Sequence, residues 1–467
     1  MACKKKLYKL RPKDKKQEVE LHFSKNVTEI QTVTPITVER DVRQMLADKI
    51  SGNYVGLWLL IPEHLRLGTW DMLKAWSGIH APNALEPRLS MQLIHEAALC
   101  INGVRARRTL RQKGFETLNG LPFVATDKQI HKLLDEHTIA DAKTLQFCLG
   151  KMRRLCGHFP GRFIIFDPHR IKSKSKRQMR LMKSNNSEKA SKTLQSFFAL
   201  DAESRQPIVC SIGSSATTAT QASIALVKQL TDIIPDPALL LLDKEHFTTG
   251  LITYLMQHQK LTFLMPAPRY KNIMSEIEKL RFTPQWAGYA VAETTYSVQG
   301  LDEPIRSLMQ RTGEIEEDYH YQPFITSSRL PADELMALVF PERWNIEEFF
   351  KSESALGWNR ASTFNLNIRF GKLSHALIAQ AALYQLRQKL PGDMSTWTAQ
   401  SLAEKFFGGI DGDIRVRKDT IVVTMYNAPN APFFKEQYEN LPAKLEAEGI
   451  NPRVPWLYDF KVDFRFK

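Results

Sequence analysis

The sequence predicts an α/β protein in which helices cover a sheet with parallel strands at its centre. Three observations carry this. The runs Phe163-Ile164-Ile165-Phe166 and Leu239-Leu240-Leu241-Leu242 are apolar at every position, the pattern of a strand buried on both faces. Between them, residues 218–231 place Ile224, Leu226, Val227 and Leu230 at helical spacing, which supplies a crossover between parallel strands. Each apolar run also ends directly on an aspartate, Asp167 and Asp243, at the carboxyl ends where open α/β sheets gather ligand chemistry.

The other elements follow in chain order. Residues 1–20 hold eight Lys or Arg and three acids, so residues 1–30 read as a basic tail. Residues 31–158 read as a helical domain, with helical pieces in 40–76, including 69–76. Further helices are expected at 91–101, at 127–136 on Ile130, Leu133 and Leu134, and at 140–155. After Asp167, residues 194–201 and 207–212 read as two strands around the polar turn 202–206. After Asp243, residues 247–257 can form a helix and 261–265 another strand.

Residues 266–330 contain Pro266, Pro268 and Pro284. With an alternating stretch at 289–298 and a strand-like run at 319–326, they predict a mainly β insertion. The interrupted core thus occupies 159–265 and 331–390. From 391 to 467 the chain reads as a small α/β appendage, with a hairpin of 413–417 and 420–426 around Lys418-Asp419 and a polar helix at 433–449.

A third carboxylate joins the two aspartates. In Arg343-Trp344-Asn345-Ile346-Glu347-Glu348-Phe349-Phe350-Lys351 the apolar residues suit a helix packed by one face, and Arg343, Glu347 and Lys351 fall on one stripe. Three convergent carboxylates repel one another and resist ionisation when buried, so they make sense chiefly when divalent metal neutralises them. Hard oxygen donors suit magnesium or manganese.

Asp167, Asp243 and Glu347, in that order and with the last on Arg-Trp-x-Ile-Glu-Glu-Phe-Phe-Lys, resemble the Asp-Asp-Glu triad of bacterial insertion-sequence transposases. The chain is similar to the group with a Tyr-x-x-Arg-x-x-x-Glu signature followed after six residues by Lys. Arg343 and Glu347 match it, whereas the Tyr position is Phe340 and the Lys position is Ser354. The resemblance covers roughly residues 160–390. It implies a ribonuclease H-like mixed five-stranded sheet flanked by helices, with the β-rich insertion handling the cut DNA end. It further implies two Mg2+ or Mn2+ ions held by the catalytic residues Asp167, Asp243 and Glu347. Metal-dependent cleavage at the element's ends and strand transfer into target DNA follow from it, with a homodimer in the synaptic complex.

Charge agrees with a polyanionic partner. The formal net charge is +14, and residues 170–192 hold nine Lys or Arg against one acid, while 105–113 hold five against none. The expected contacts to double-stranded DNA are Arg343 and Lys351, then Arg170, Lys172, Lys174, Lys176, Arg177 and Arg180, and in the helical domain Arg105, Arg107, Arg108 and Arg111. Charge runs also occur as plain solvated faces.

No run approaches the ~20 apolar residues that span a bilayer, and no apolar run follows Lys4-Lys5-Lys6, so neither membrane nor secretion is expected. Five scattered cysteines suggest a reducing cytoplasm, with the protein on the bacterial nucleoid. No nucleotide-binding loop occurs, so no nucleotide cofactor is expected. Asp201 also ends an apolar strand and rivals Asp167; His169 reads as a loop residue and Glu348 as a surface one. Two further functions fit the same residues, a catalytically silent DNA-binding repressor of its own element and a stand-alone metal-dependent nuclease.

Overall fold

A computed structural model describes residues 34–467 apart from 53, 79–83, 102–107, 174–179, 183–188, 215, 276 and 359–362. Its strands, in chain order, are β1 (Ile50–Gly52), β2 (Phe163–Lys172), β3 (Leu181–Met182), β4 (Ser191–Asp201), β5 (Gln206–Ser214), β6 (Ala238–Leu242) and β7 (Leu261–Pro266). There follow β8 (Thr283–Trp286), β9 (Tyr289–Tyr296), β10 (Ile305–Thr312), β11 (His320–Thr326), β12 (Gly412–Arg417), β13 (Thr420–Met425), β14 (Arg453–Val454) and β15 (Phe460–Phe466).

The apolar run of β2 is buried on both faces. Ile165 joins one core, while Ile164 and Phe166 join the other. The same alternation divides β6, with Leu239 and Leu241 on the first side and Leu240 and Leu242 on the second. β2 and β6 pair in parallel, Phe166 opposite Leu242, and β6 pairs in parallel with β7. On its other side β2 runs antiparallel to β4, which pairs antiparallel with β5.

The second core is closed by the helices Ala219–Ile233 and Thr249–Met256 through Leu226, Val227, Leu230, Leu251, Ile252 and Leu255. The first of these starts at a capping box, in which Thr218 and Gln221 satisfy each other's backbone N–H groups. The first core is closed by the helices Ile139–Leu155, Asn345–Glu353 and Leu366–Arg387.

The sheet does not stop at five strands. β8 to β11 form an antiparallel series, and β11 pairs with β7 through Phe324–Pro266, Ile325–Met265 and Thr326–Leu264. The β-rich insertion therefore extends the five core strands to nine, and the short β3 beside β4 is the tenth strand of the sheet among the described residues. It covers an edge of β7 that would otherwise offer unpaired N–H and C=O groups.

The ends of the described chain build a second sheet of order β1-β12-β13-β15-β14. β1 pairs with β12, and Ser51 Oγ donates to Asp413 Oδ1 at 2.6 Å. Trp456 Nε1 donates to Leu118 O, Tyr458 Oη to Gly120 O, and Arg88 Nε to Trp456 O. The segment read as an appendage from residue 391 thus shares its sheet and its apolar core with the N-terminal helices. The polar helix expected over 433–449 is two helices, Ala431–Tyr438 and Leu441–Ala447, parted where Asn440 takes a left-handed conformation. Among the described residues no helix is long and apolar enough to cross a membrane.

Candidate active site

Strand alternation fixes where the two aspartates point. Asp167 shares the parity of Ile165, and Asp243 follows Leu242 as Asp167 follows Phe166, so both lie on the face of the first core. The helix Asn345–Glu353 covers that face with Ile346 and Phe349. Across the ladder Asp167 stands opposite Phe198, whose ring lies 5.3 Å from Phe350 in an edge-on contact. His169, read from sequence as a loop residue, lies instead on β2 opposite Ser196, because the strand continues past Asp167 on β4, and its ring is 4.5 Å from Phe350.

The carboxyl of Asp167 is pushed up to about 8, first by burial and then by Glu245, with Asp243 adding to the repulsion. Arg343 and Arg170 oppose the shift. Arg343 Nη1 stands 3.9 Å from Asp243 Oδ1, and the guanidinium lies over the rings of Phe340 and Trp344. Its Nε is buried with no hydrogen-bond partner among the described residues.

Glu245, on the short turn Lys244–His246, is the acid that the sequence reading missed. It forms an ion pair with Arg170, which also donates to Gln195 Oε1. Gln195 Nε2 in turn donates to the carbonyls of Ser214 and Thr217 at 3.0 Å. The signal was present in the sequence, two residues after Asp243, but no periodicity reports the direction of a side chain in a tight turn. His246 Nδ1 lies 3.3 Å from Asp243 O, and burial holds this imidazole neutral below its ordinary range.

Glu347 is half-buried on the covering helix, one turn after Arg343 and three residues before Phe350. Those neighbours reach Asp243 on one side and His169 on the other, so Glu347 belongs to the stretch of helix that faces the aspartates. Among the described residues no three His, Cys, Asp or Glu side chains stand together as a cage for a metal ion. The donor chemistry nevertheless fits a hard divalent cation. Burial first, and then the charge of Glu245 with a smaller part from Asp243, keep a proton on Asp167 that a cation could replace.

Comparison with known proteins adds a second, independent line. The family model described as "Transposase DDE domain" matches residues 133–380, more than half of the 467-residue chain. The chain belongs to the DDE transposase family.

Among solved structures, this DDE transposase is similar to one described as a cryo-EM structure of the piggyBac transposase synaptic complex with hairpin DNA. The TM-score is 0.43 at 11% identity, over 77% of this chain and 82% of that chain. No curated protein matches it.

The remaining sequence-named residues of the transposase are scattered. Lys351 is exposed and pairs with Glu348 at 2.7 Å, so Glu348 is a surface residue as read. Asp201, the rival acid, accepts from Gly161 N, Ser204 N and Ser204 Oγ and pins a turn near the opposite end of β2. Lys172, Arg180 and Arg111 are exposed. Arg105, Arg107, Lys174, Lys176 and Arg177 lie outside the described residues, as does the side chain of Arg108.

Proposed function

We propose that this transposase cuts DNA at the ends of its element and joins those ends to target DNA. The observation that carries this is the placing of Asp167 and Asp243 on neighbouring strands, each just past the last parallel pair Phe166–Leu242, on the face covered by the Glu347 helix, although β2 itself runs on to Lys172. We read β5-β4-β2-β6-β7, with its parallel centre and antiparallel flank, as a ribonuclease H-like core. Domain boundaries follow the sequence reading, with the C-terminal module completed by the N-terminal helices.

Asp167, Asp243 and Glu347 would hold two magnesium or manganese ions, and Asp167 would give up its proton to do so. Such ions, when bound, activate water for in-line attack on a phosphodiester and stabilise the departing 3′ oxygen. Arg343, its guanidinium held over the rings of Phe340 and Trp344, would bind the phosphate beside the cut. Lys351, with Arg170, Lys172 and Arg180, extends the positive track along the duplex. Two copies act together on paired ends, on the bacterial nucleoid.

The second reading is a silent DNA-binding repressor, favoured by the absence of a ready three-acid cage among the described residues and by Phe340 and Ser354. Incubation with a supercoiled plasmid carrying the element, in magnesium, separates them. Excision with joining supports transposition, cutting without joining supports a nuclease, and binding alone supports a repressor. Asp243→Asn should abolish chemistry and leave DNA binding in place. Cutting by that variant would end this assignment.

A further inference from the structure

The second sheet has two unlike faces. Register aligns Arg415 with Val422 and Asp463, Arg417 with Thr420 and Lys461, and Asp413 with Thr424 and Arg465. These residues share one face by strand alternation. The opposite face carries Ile414, Ile421, Val423, Met425, Val462, Phe464 and Phe466, all buried. The helix Ala431–Tyr438 packs on that buried face, where Phe434 and Tyr438 meet the rings of Phe466 and Phe464.

Glu436, Glu446 and Glu448 are exposed on or just after the two helices, and the helix Leu441–Ala447 borders the outer face along β15, where Leu441 N donates to Asp463 Oδ1 at 3.1 Å and Glu446 meets Lys461. On the outer face the acids are sunk and the cations stand out. The side chains of Asp413 and Asp463 are 5% and 11% exposed, against 55% for Arg415, 47% for Arg465 and 47% for Lys49. Lys49 lies 2.7 Å and Arg415 3.8 Å from Asp413, and Arg465 lies 2.9 Å from Asp463. The sunken acids hold the cations in place while the cations meet solvent. Arg417 is exposed and makes no ion pair among the described residues. Lys461 is turned to Glu446 at 3.6 Å and is set aside.

Between the basic rows runs β13, whose outward Thr420, Val422 and Thr424 are short and half-buried. The face is thus a shallow strip with cations on both sides. A protein partner would ask for apolar or aromatic anchors at its centre; here Val422 is the one apolar residue at the centre, and the aromatic Tyr426 lies at the rim, its hydroxyl tied to Asp413 and its ring under Lys467. A polar, strongly positive, shallow face fits a phosphate backbone instead.

We propose that the outer face of β12, β13 and β15 docks the backbone of double-stranded DNA, independently of base sequence and apart from the carboxylates. This rests on the reading of the protein as a DNA-acting transposase. The contacts go to phosphate, so they position the duplex without reading it.

The test uses the full chain and a mixed-sequence duplex of about 30 base pairs, long enough to span such a face at 3.4 Å per pair, with binding followed by fluorescence anisotropy from roughly 50 to 200 mM salt. Each lost phosphate contact should lower the slope of log affinity against log salt by about 0.9. The variant Arg415→Gln/Arg417→Gln/Arg465→Gln should therefore lower the slope by about 2 to 3 and weaken binding at low salt by roughly tenfold or more.

Arg417→Glu, which gives up no ion pair, should lower the slope by itself with thermal unfolding unchanged. Equal slopes for the parent and Arg417→Glu overturn the inference. So does a matching loss of binding to polyglutamate without any loss of binding to the duplex. A chain that binds no duplex at all defeats the transposase reading as well, whereas duplex binding untouched by either variant defeats this inference alone.

Discussion

The Arg343 guanidinium stands 3.9 Å from the Asp243 carboxylate, with its Nε buried and unpartnered among the described residues. It is the cation that tempers the repulsion between two aspartates on neighbouring strands. Arg343→Gln should cut strand cleavage by about 10²–10³-fold, a smaller loss than that of Asp243→Asn. The metal-free chain should become less stable, so that the rise in unfolding temperature on adding magnesium grows by roughly 2 °C or more. An unchanged magnesium response would show that Arg343 does not serve the aspartates.

Asp167 makes the metal-free protein respond to pH. Its folded carboxyl takes up a proton as pH falls below about 8, whereas an unfolded aspartate stays ionised down to about 4. Stability should therefore rise as pH falls from 8 towards 4 and be lost as pH climbs through 8. Asp167→Asn should flatten that part of the curve, measured by thermal unfolding with magnesium chelated. Cation and proton compete for the same oxygens, so apparent magnesium affinity should climb with pH up to about 8 and then level.

Glu245 is the strongest neighbouring charge acting on Asp167 and the partner of Arg170. Glu245→Gln should move the pH response just described to lower pH and free Arg170 from its fixed place. Cleavage should drop by roughly tenfold, in the range of a lost positioning contact. A pH curve that superposes on the parent would remove Glu245 from the site.

Glu347→Gln should abolish cleavage, with DNA binding retained and part of the magnesium-induced rise in unfolding temperature preserved by the remaining aspartates. If this variant still cuts, the third ligand lies elsewhere, and Glu245 is the next acid to replace.

Gly120 ties the N-terminal helices to the C-terminal sheet. It has a φ of +66°, and an added Cβ would come within 2.0 Å of the Trp456 carbonyl oxygen. Gly120→Ala should cost about 2 kcal/mol or more, read by denaturant unfolding. Removing residues 391–467 should leave the N-terminal helices open to limited proteolysis, because their partners β12 and Trp456 go with the deletion.

Much of the core was legible because strand chemistry is local. Apolar runs ending on Asp167 and Asp243 are seen within five residues, and the 127–136 helix carries its stripe of Ile130, Leu133 and Leu134 in plain view. The helix Leu366–Arg387 was not singled out because it is buried nearly all round and shows no amphipathic face. The joining of β1 to β12, and the addition of β11 to the edge of β7, depend on partners far apart in sequence. Glu245 escaped because a turn, unlike a strand or helix, has no repeat that gives the direction of its side chains.

The pairing of Ser51 with Asp413 closes a separation of 362 residues. The helices around residues 35–118 therefore cannot finish folding until the strands from residue 412 onward are made, and such long-range closure is slow and exposes apolar surface meanwhile. A copy of the gene interrupted by a premature stop codon would yield a fragment with the catalytic strands but an unfinished N-terminal half.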